Sequence, residues 1–213
     1  MSTILDNAAV RVLGSLMEKM LATPEYYPLS LNALTAACNQ KSSREPVVSY
    51  DEATVRAAAY DLVGRELVHE SSVGRVSKFE EQFSRLHSLV PRETAALCVL
   101  LLRGAQTTGE IRTRTARLYA FQSLEEVQES LETLEALGFV QRLGRLPGHK
   151  EPRYAHLLSG TPAAAPAPDA KTPAPESLDT AERLEQLEET MAALTAEIAE
   201  LRAAFDRFKQ QFE

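Results

Sequence analysis

Apolar residues in the first part of the chain recur at the three- and four-residue steps of an amphipathic helix. Val10, Leu13, Leu16, Met17 and Met20 form one apolar face, which ends at a turn between Pro24 and Pro28. Ser30 then stands as N-cap of a short second helix. A third helix is predicted from Asp51, with Val55, Ala59, Leu62 and Val63 on one side, running through Leu67 and Val68 into a segment with Gly74 at its centre. The order then repeats. Pro91 to Arg103 reads as a nearly all-apolar helix, Thr107 to Glu110 as a capping box for the next, and Ser123 to Glu126 as a capping box for a third that carries Val127, Leu131 and Leu134. That helix stops at Gly138, and Phe139 to Leu143 pairs with Arg153 to Leu157 across a turn at Pro147 and Gly148.

The two third helices align at a constant offset: Asp51 with Ser123, Val55 with Val127, Leu62 with Leu134, Leu67 with Phe139, Val68 with Val140. Three helices followed by a hairpin is the order of a winged helix-turn-helix. The predicted fold is therefore mainly α with small β-hairpin wings: tandem winged helix-turn-helix domains at residues 1–88 and 89–160, followed by a C-terminal coiled-coil helix. A chance alignment of amphipathic helices is the competing explanation. The first copy differs by a longer connection, Asn39 to Tyr50.

Residues 161–177 turn to Pro, Ala, Thr and Asp without apolar periodicity and read as a linker. In residues 178–213, Leu184, Leu187, Met191, Leu194, Ile198 and Leu201 continue to Phe205, Phe208 and Phe212 at alternating steps of three and four, the a/d pattern of a coiled coil. In a parallel pair Arg183 would face Glu188, and Glu197 would face Arg202, both attractive. The expectation is a homodimer through this segment. A trimer and a helix folded back on its own core are the alternatives.

Charge changes meaning once it is divided along the 213 residues. The net charge of -7 speaks at first against a polyanionic partner, but 18 basic residues face 19 acidic ones through Gly160, against 5 and 11 beyond it. The acidity belongs mostly to the tail. The longest apolar run, Ala95 to Leu102, is too short for a membrane span, and the N-terminus lacks a secretory signal pattern. A cytoplasmic protein without membrane contact is expected. Cys38 and Cys98 sit among Ala, Leu and Val as buried small hydrophobes.

Enzyme motifs are not evident. Gly104 to Gly109 has the glycine spacing of a phosphate loop, but Glu110 and Ile111 stand where Lys and Ser or Thr are needed. His69, His87, His149 and His156 show no metal-ligand spacing. No catalytic residue, cofactor or metal is predicted.

Double-stranded DNA is the partner the predicted fold suggests. The candidate contacts are Arg112, Arg114 and Arg117 near the second helix of copy two, next to Arg103; Arg142, Arg145, Lys150 and Arg153 in its wing; and Arg75 and Lys78 in the first wing. The third helices argue the other way. Glu125, Glu129 and Glu132 line the exposed side of the second, and the first sets Arg56 and Arg65 against Asp51, Glu52, Asp61 and Glu66. Contacts to the DNA backbone are thus expected rather than base reading. The competing hypothesis is a protein-interaction scaffold docking a partner on the acidic faces. Asn39, Gln40, Lys41 and Arg44 form another candidate surface, with Arg44 suited either to an external anion or to an internal clamp on a helix end.

The runs Thr23-Pro24-Glu25-Tyr26-Tyr27-Pro28-Leu29-Ser30, Ala37-Cys38-Asn39-Gln40-Lys41 with Arg44-Glu45-Pro46, and Leu102-Arg103-Gly104-Ala105-Gln106-Thr107 with Gly109-Glu110 resemble signatures of the YceH-like family of uncharacterised bacterial proteins. The resemblance extends from Asn7 to Gly160. It implies a tandem winged-helix fold and brings no activity or catalytic residue with it.

Overall fold

A computed structural model describes residues 4–71, 76–144 and 151–160. Helix α1 (Asn7–Ala22) starts where the Asp6 carboxylate accepts the Ala9 N–H at 2.7 Å. Every residue from Ala9 to Met17 is buried, so α1 is surrounded rather than laid on a surface. Such a helix must find partners on several sides.

A 3₁₀ turn at Pro24–Tyr26 leads to β1 (Leu29–Ser30) and α2 (Leu31–Cys38), capped by the Ser30 hydroxyl. Asp51 caps α3 (Glu52–Gly64), which buries Val55, Ala58, Ala59 and Leu62. Strands β2 (Val68–Ser71) and β3 (Lys78–Glu81) return antiparallel, with Val68 opposite Glu81 and Ser71 opposite Lys78. Strand β1 adds to the other edge of β3, Leu29 opposite Phe79, giving the order β1-β3-β2. The short α4 (Phe83–Leu86) closes this half.

The second half runs through α5 (Pro91–Arg103), α6 (Thr108–Arg114), α7 (Leu124–Ala136), β4 (Val140–Arg142) and β5 (Tyr154–His156). Strands β4 and β5 are antiparallel, and Gln106, just before α6, bridges to Tyr154 on β5. Leu29 stands in the same relation to Phe79: one residue ahead of the second helix's N-cap, against the returning strand. The chain exits α3 and α7 alike. Leu67 N–H donates to Leu62 O and Phe139 N–H to Leu134 O, each at 2.9 Å, and the residues between, Glu66 and Gly138, have φ of 62° and 76°. Gly138 suits that left-handed turn, whereas Glu66 adopts it against the usual side-chain preference.

Thr107 and Glu110 form the expected reciprocal capping box. At α7 the expected box is only half made. Ser123 accepts the Glu126 N–H, but the Glu126 carboxylate turns to the Gln122 N–H and the Tyr119 hydroxyl instead of the Ser123 backbone. Two donors outside the helix compete successfully for it.

The chain is thus mainly α with two small antiparallel sheets. The expected boundary between residues 88 and 89 falls in the turn joining α4 to α5, and one apolar core continues across it. Helices α1 and α5 pack most extensively, with Gly14 facing Leu101 and Leu102 and the Cys98 thiol donating to Gly14 O at 3.4 Å. Phe83 and His87 each meet Phe139 edge to face, the three ring centres lying 4.5 to 4.8 Å apart. Leu5 N–H donates to Leu158 O at 2.6 Å, tying the start of α1's approach to the segment after β5. The turn at Gly74, that at Pro147 and Gly148, the linker, and the coiled-coil positions Leu184, Leu187, Met191, Leu194, Ile198 and Leu201 lie outside the described residues.

Candidate functional site

The connection between α2 and α3 is held by two buried arginines. Arg44 donates to both carboxylate oxygens of Glu18 on α1, at 2.9 and 2.6 Å, and its Nη2 and Nε both reach Ala37 O at the C-terminal end of α2. Its side chain is fully buried and that of Glu18 is 13% exposed. Arg44 therefore acts as an internal clamp on a helix end rather than an outward anion contact. A cation there also meets the negative end of the helix dipole. Arg11 Nη2 donates to Pro46 O at 2.6 Å and Nη1 to Cys38 O at 3.4 Å, with its guanidinium held below its usual range by burial first and then by Arg44. Asn39 closes the connection by bonding both the N–H and the C=O of Tyr50. Gln40 accepts from Arg44, and Lys41 is exposed.

This connection meets the basic helix of the second half. Between α1, α5, α6 and residues 40–43 lies a cleft of about 530 Å³. Lys19, Arg103, Arg114 and Arg117 line it with Glu18, Gln40, Ser42 and Ser43, and apolar surface comes from the half-buried Leu118 and the edges of the buried Val99 and Leu102. Arg114 also bonds the Gln106 side chain and lies 3.7 Å from Glu110. Arg112 turns away and donates to Gln122 O at 3.0 Å. Two candidate surfaces that are far apart in sequence, the Asn39 to Arg44 connection and the Arg114 to Arg117 stretch, thus share one cleft.

The two strand pairs are less uniformly basic than their composition suggests. Arg153 is committed internally, its Nη2 2.8 Å from Glu110 Oε2 and its Nε 3.1 Å from Ala105 O. Arg142 is exposed, with its backbone N–H on Glu135, and Lys78 is exposed on β3. Arg75, Arg145 and Lys150 lie outside the described residues. On α7, Glu125, Glu129, Glu132 and Glu135 all face solvent. Glu126 is held below the usual carboxylate range by the Tyr119 hydroxyl first and the Gln122 N–H second. On α3, Arg56 pairs with Glu52 and Arg65 with Asp61 one turn away.

Glu18, Lys19 and Arg11 were not singled out by the sequence. Arg11, Ser15 and Glu18 occupy steps of four and three along α1, a polar stripe beside the apolar one. Such a stripe ordinarily reads as a helix's wet side, yet here Arg11 and Ser15 are buried. His156 is also enclosed, with its Nδ1 lacking a partner among the described residues, and burial pushes its imidazole down to about 4. Both cysteine thiols are buried and pushed up by desolvation, which makes them poor nucleophiles.

These features define a mainly helical protein with two small sheets and a cation-lined cleft; among the described residues no helix is long and apolar enough to cross a membrane. Residues 5–149 match the family described as "Protein of unknown function, DUF480", and the chain belongs to that family. It is 47% identical over 210 residues to a UPF0502 protein of Solibacter usitatus, covering 98% of each chain. It is 46% identical to the UPF0502 protein azo0627 of an Azoarcus species over 98% of this chain and 94% of that one. The UPF0502 protein VS_II0353 of Vibrio atlanticus is 43% identical, with 95% of this chain and 97% of that one covered.

Proposed function

We propose that this is a non-enzymatic, DNA-associated regulatory protein, made of two winged helix-turn-helix domains and paired into a homodimer by its C-terminal heptads. The observation that supports it best is the repeated topology: helix, short strand or bridge, helix, helix, hairpin, with the first strand position on the returning strand in both halves. Winged helices commonly bind DNA through a helix and a hairpin. The contacts fall on the exposed Lys78 and Arg142, with Arg75, Arg145 and Lys150 joining them, and on Arg112 of α6 and Arg117 just after it. Arg153 contributes by fixing the second hairpin to α6 through Glu110. Contacts of this kind are to phosphates, so sequence preference is weak.

Binding of a mixed-sequence duplex by the full-length protein is the test, at about 50 mM salt and above. Binding that falls steeply with salt, weakens in the Lys78→Glu, Arg142→Glu double variant and strengthens in Glu129→Lys is the expected result. No binding at about 50 mM salt overturns the proposal.

The acidic face of α7 favours a second reading, a scaffold that docks a partner protein there. It predicts partners that survive nuclease treatment of a lysate and are lost on Glu129→Lys, without duplex binding.

A further inference from the structure

The cleft between α1, α5, α6 and residues 40–43 gathers more positive charge than its surroundings neutralise. Of the four cations lining it, Arg103 and Arg117 have no side-chain hydrogen-bond or ion-pair partner among the described residues. Lys19 lies 3.6 Å from Glu18, but both oxygens of that carboxylate already accept from Arg44. Arg114 shares Glu110 with the much closer Arg153. Arg103 is held below its usual range by burial first, then by repulsion from Arg114, with Glu45 and Glu18 only partly offsetting this. Like charges driven together and half removed from water are costly unless something anionic joins them. Convergent cations in a concave site are a recognised mark of a binding site.

The remaining lining narrows the ligand. Ser42 and Ser43 also line the cleft, and serine hydroxyls suit anionic oxygens. The half-buried Leu118, with the edges of Val99 and Leu102, adds apolar surface that a bare inorganic ion would leave uncovered. A volume of about 530 Å³ lies within the range of small-molecule sites and far exceeds what a single tetrahedral anion fills.

We propose that this cleft binds a small organic phosphate, its phosphoryl group held by Arg103, Arg114 and Arg117 and its apolar body laid on Leu118 beside the edges of Val99 and Leu102. The guanidinium groups supply fork-shaped donors to the phosphoryl oxygens. The ligand would bridge α5 and α6 of the second half to α1 and the α2–α3 connection of the first. The site shares Arg117 with the proposed DNA contacts, but it needs no duplex to form.

Calorimetric titration of the full-length protein with phenyl phosphate and with inorganic phosphate, without nucleic acid, tests this. Phenyl phosphate is expected to bind with a dissociation constant of about 1 mM or tighter and at least about tenfold more tightly than inorganic phosphate. Arg117 is exposed, so Arg117→Glu should keep the melting temperature and weaken phenyl phosphate at least about tenfold. Arg103→Gln gives a second, milder loss, and Arg85→Glu, on α4 and outside the cleft, none. The proposal is overturned by no heat of binding, by equal affinity for the two phosphates, or by binding that Arg117→Glu and Arg103→Gln leave unchanged. Equal affinities together with full competition by duplex DNA would instead assign the cleft to the nucleic-acid backbone, which also overturns it.

Discussion

A Cβ placed on Gly14 of α1 would stand 3.0 Å from Cδ2 of Leu102 on α5 and 3.1 Å from Leu101 Cβ. The two central helices approach this closely because one of them lacks a side chain at the crossing. Gly14→Ala gains about 1 kcal/mol of helix propensity but must push buried side chains, at about 1–3 kcal/mol. Leu102 is 3% exposed and has little room to yield, so a net loss of about 1 kcal/mol is expected. Denaturant unfolding measures it, and a stabilised variant would show the crossing to be looser than described.

The Arg44 clamp gives a larger effect. Arg44→Ala leaves the Glu18 carboxylate and the Ala37 carbonyl without their donor in a largely buried place, and about 3 kcal/mol of stability should be lost. Glu18→Gln keeps an acceptor for Arg44 and should cost roughly half as much. Equal losses in the two variants would mean that charge, rather than the number of hydrogen bonds, holds the connection.

Glu66 and Gly138 occupy equivalent left-handed turns with different residues. Gly138→Ala should cost about 1 kcal/mol, because a Cβ is disfavoured at that φ. Glu66→Gly should be neutral or stabilise by up to about 1 kcal/mol, relief of the same strain being partly offset by greater freedom of the unfolded chain. Thermal unfolding of the pair of variants decides both signs.

His156 makes stability depend on acid. Folded, it takes a proton only near pH 4; unfolded, it does so at its ordinary 6.5. Between these values the unfolded chain holds more protons, so stability falls as pH is lowered through that window, by up to about 1.4 kcal/mol per pH unit. Burial raises Glu81, whose effect runs in the opposite sense above its own ordinary value. The difference between wild type and His156→Phe isolates the histidine: the variant's stability should fall less between pH 6.5 and 4. Parallel curves would refute it.

Helices were legible in the sequence where local chemistry alone fixes them. Pro91 and Arg103 bound α5, Asp51 and Ser123 cap α3 and α7, and Val55, Ala59, Leu62, Val127, Leu131 and Leu134 are buried as their spacing predicts, while Val63 is half-buried. Strand β1, two residues long, leaves no periodicity to read. The candidate site depends on meetings at a distance. Glu110 looks like a capping residue only, until β5 brings Arg153 to it from 43 positions away. Likewise Arg44 reads as a loop cation until Glu18 is seen to wait for it inside α1. Whether a basic residue is available to a partner is decided by such pairs, and composition does not contain them.

The hydrogen bond from Leu5 to Leu158 has a further consequence. It brings the two ends of the folded unit side by side, so the order in which its halves are connected matters less than their contact. A circularly permuted chain that opens between α4 and α5, near Leu89, and joins Gly160 to Ile4 through a short flexible linker should fold to the same arrangement of helices. The two halves would then trade places along the chain while keeping the α1–α5 crossing.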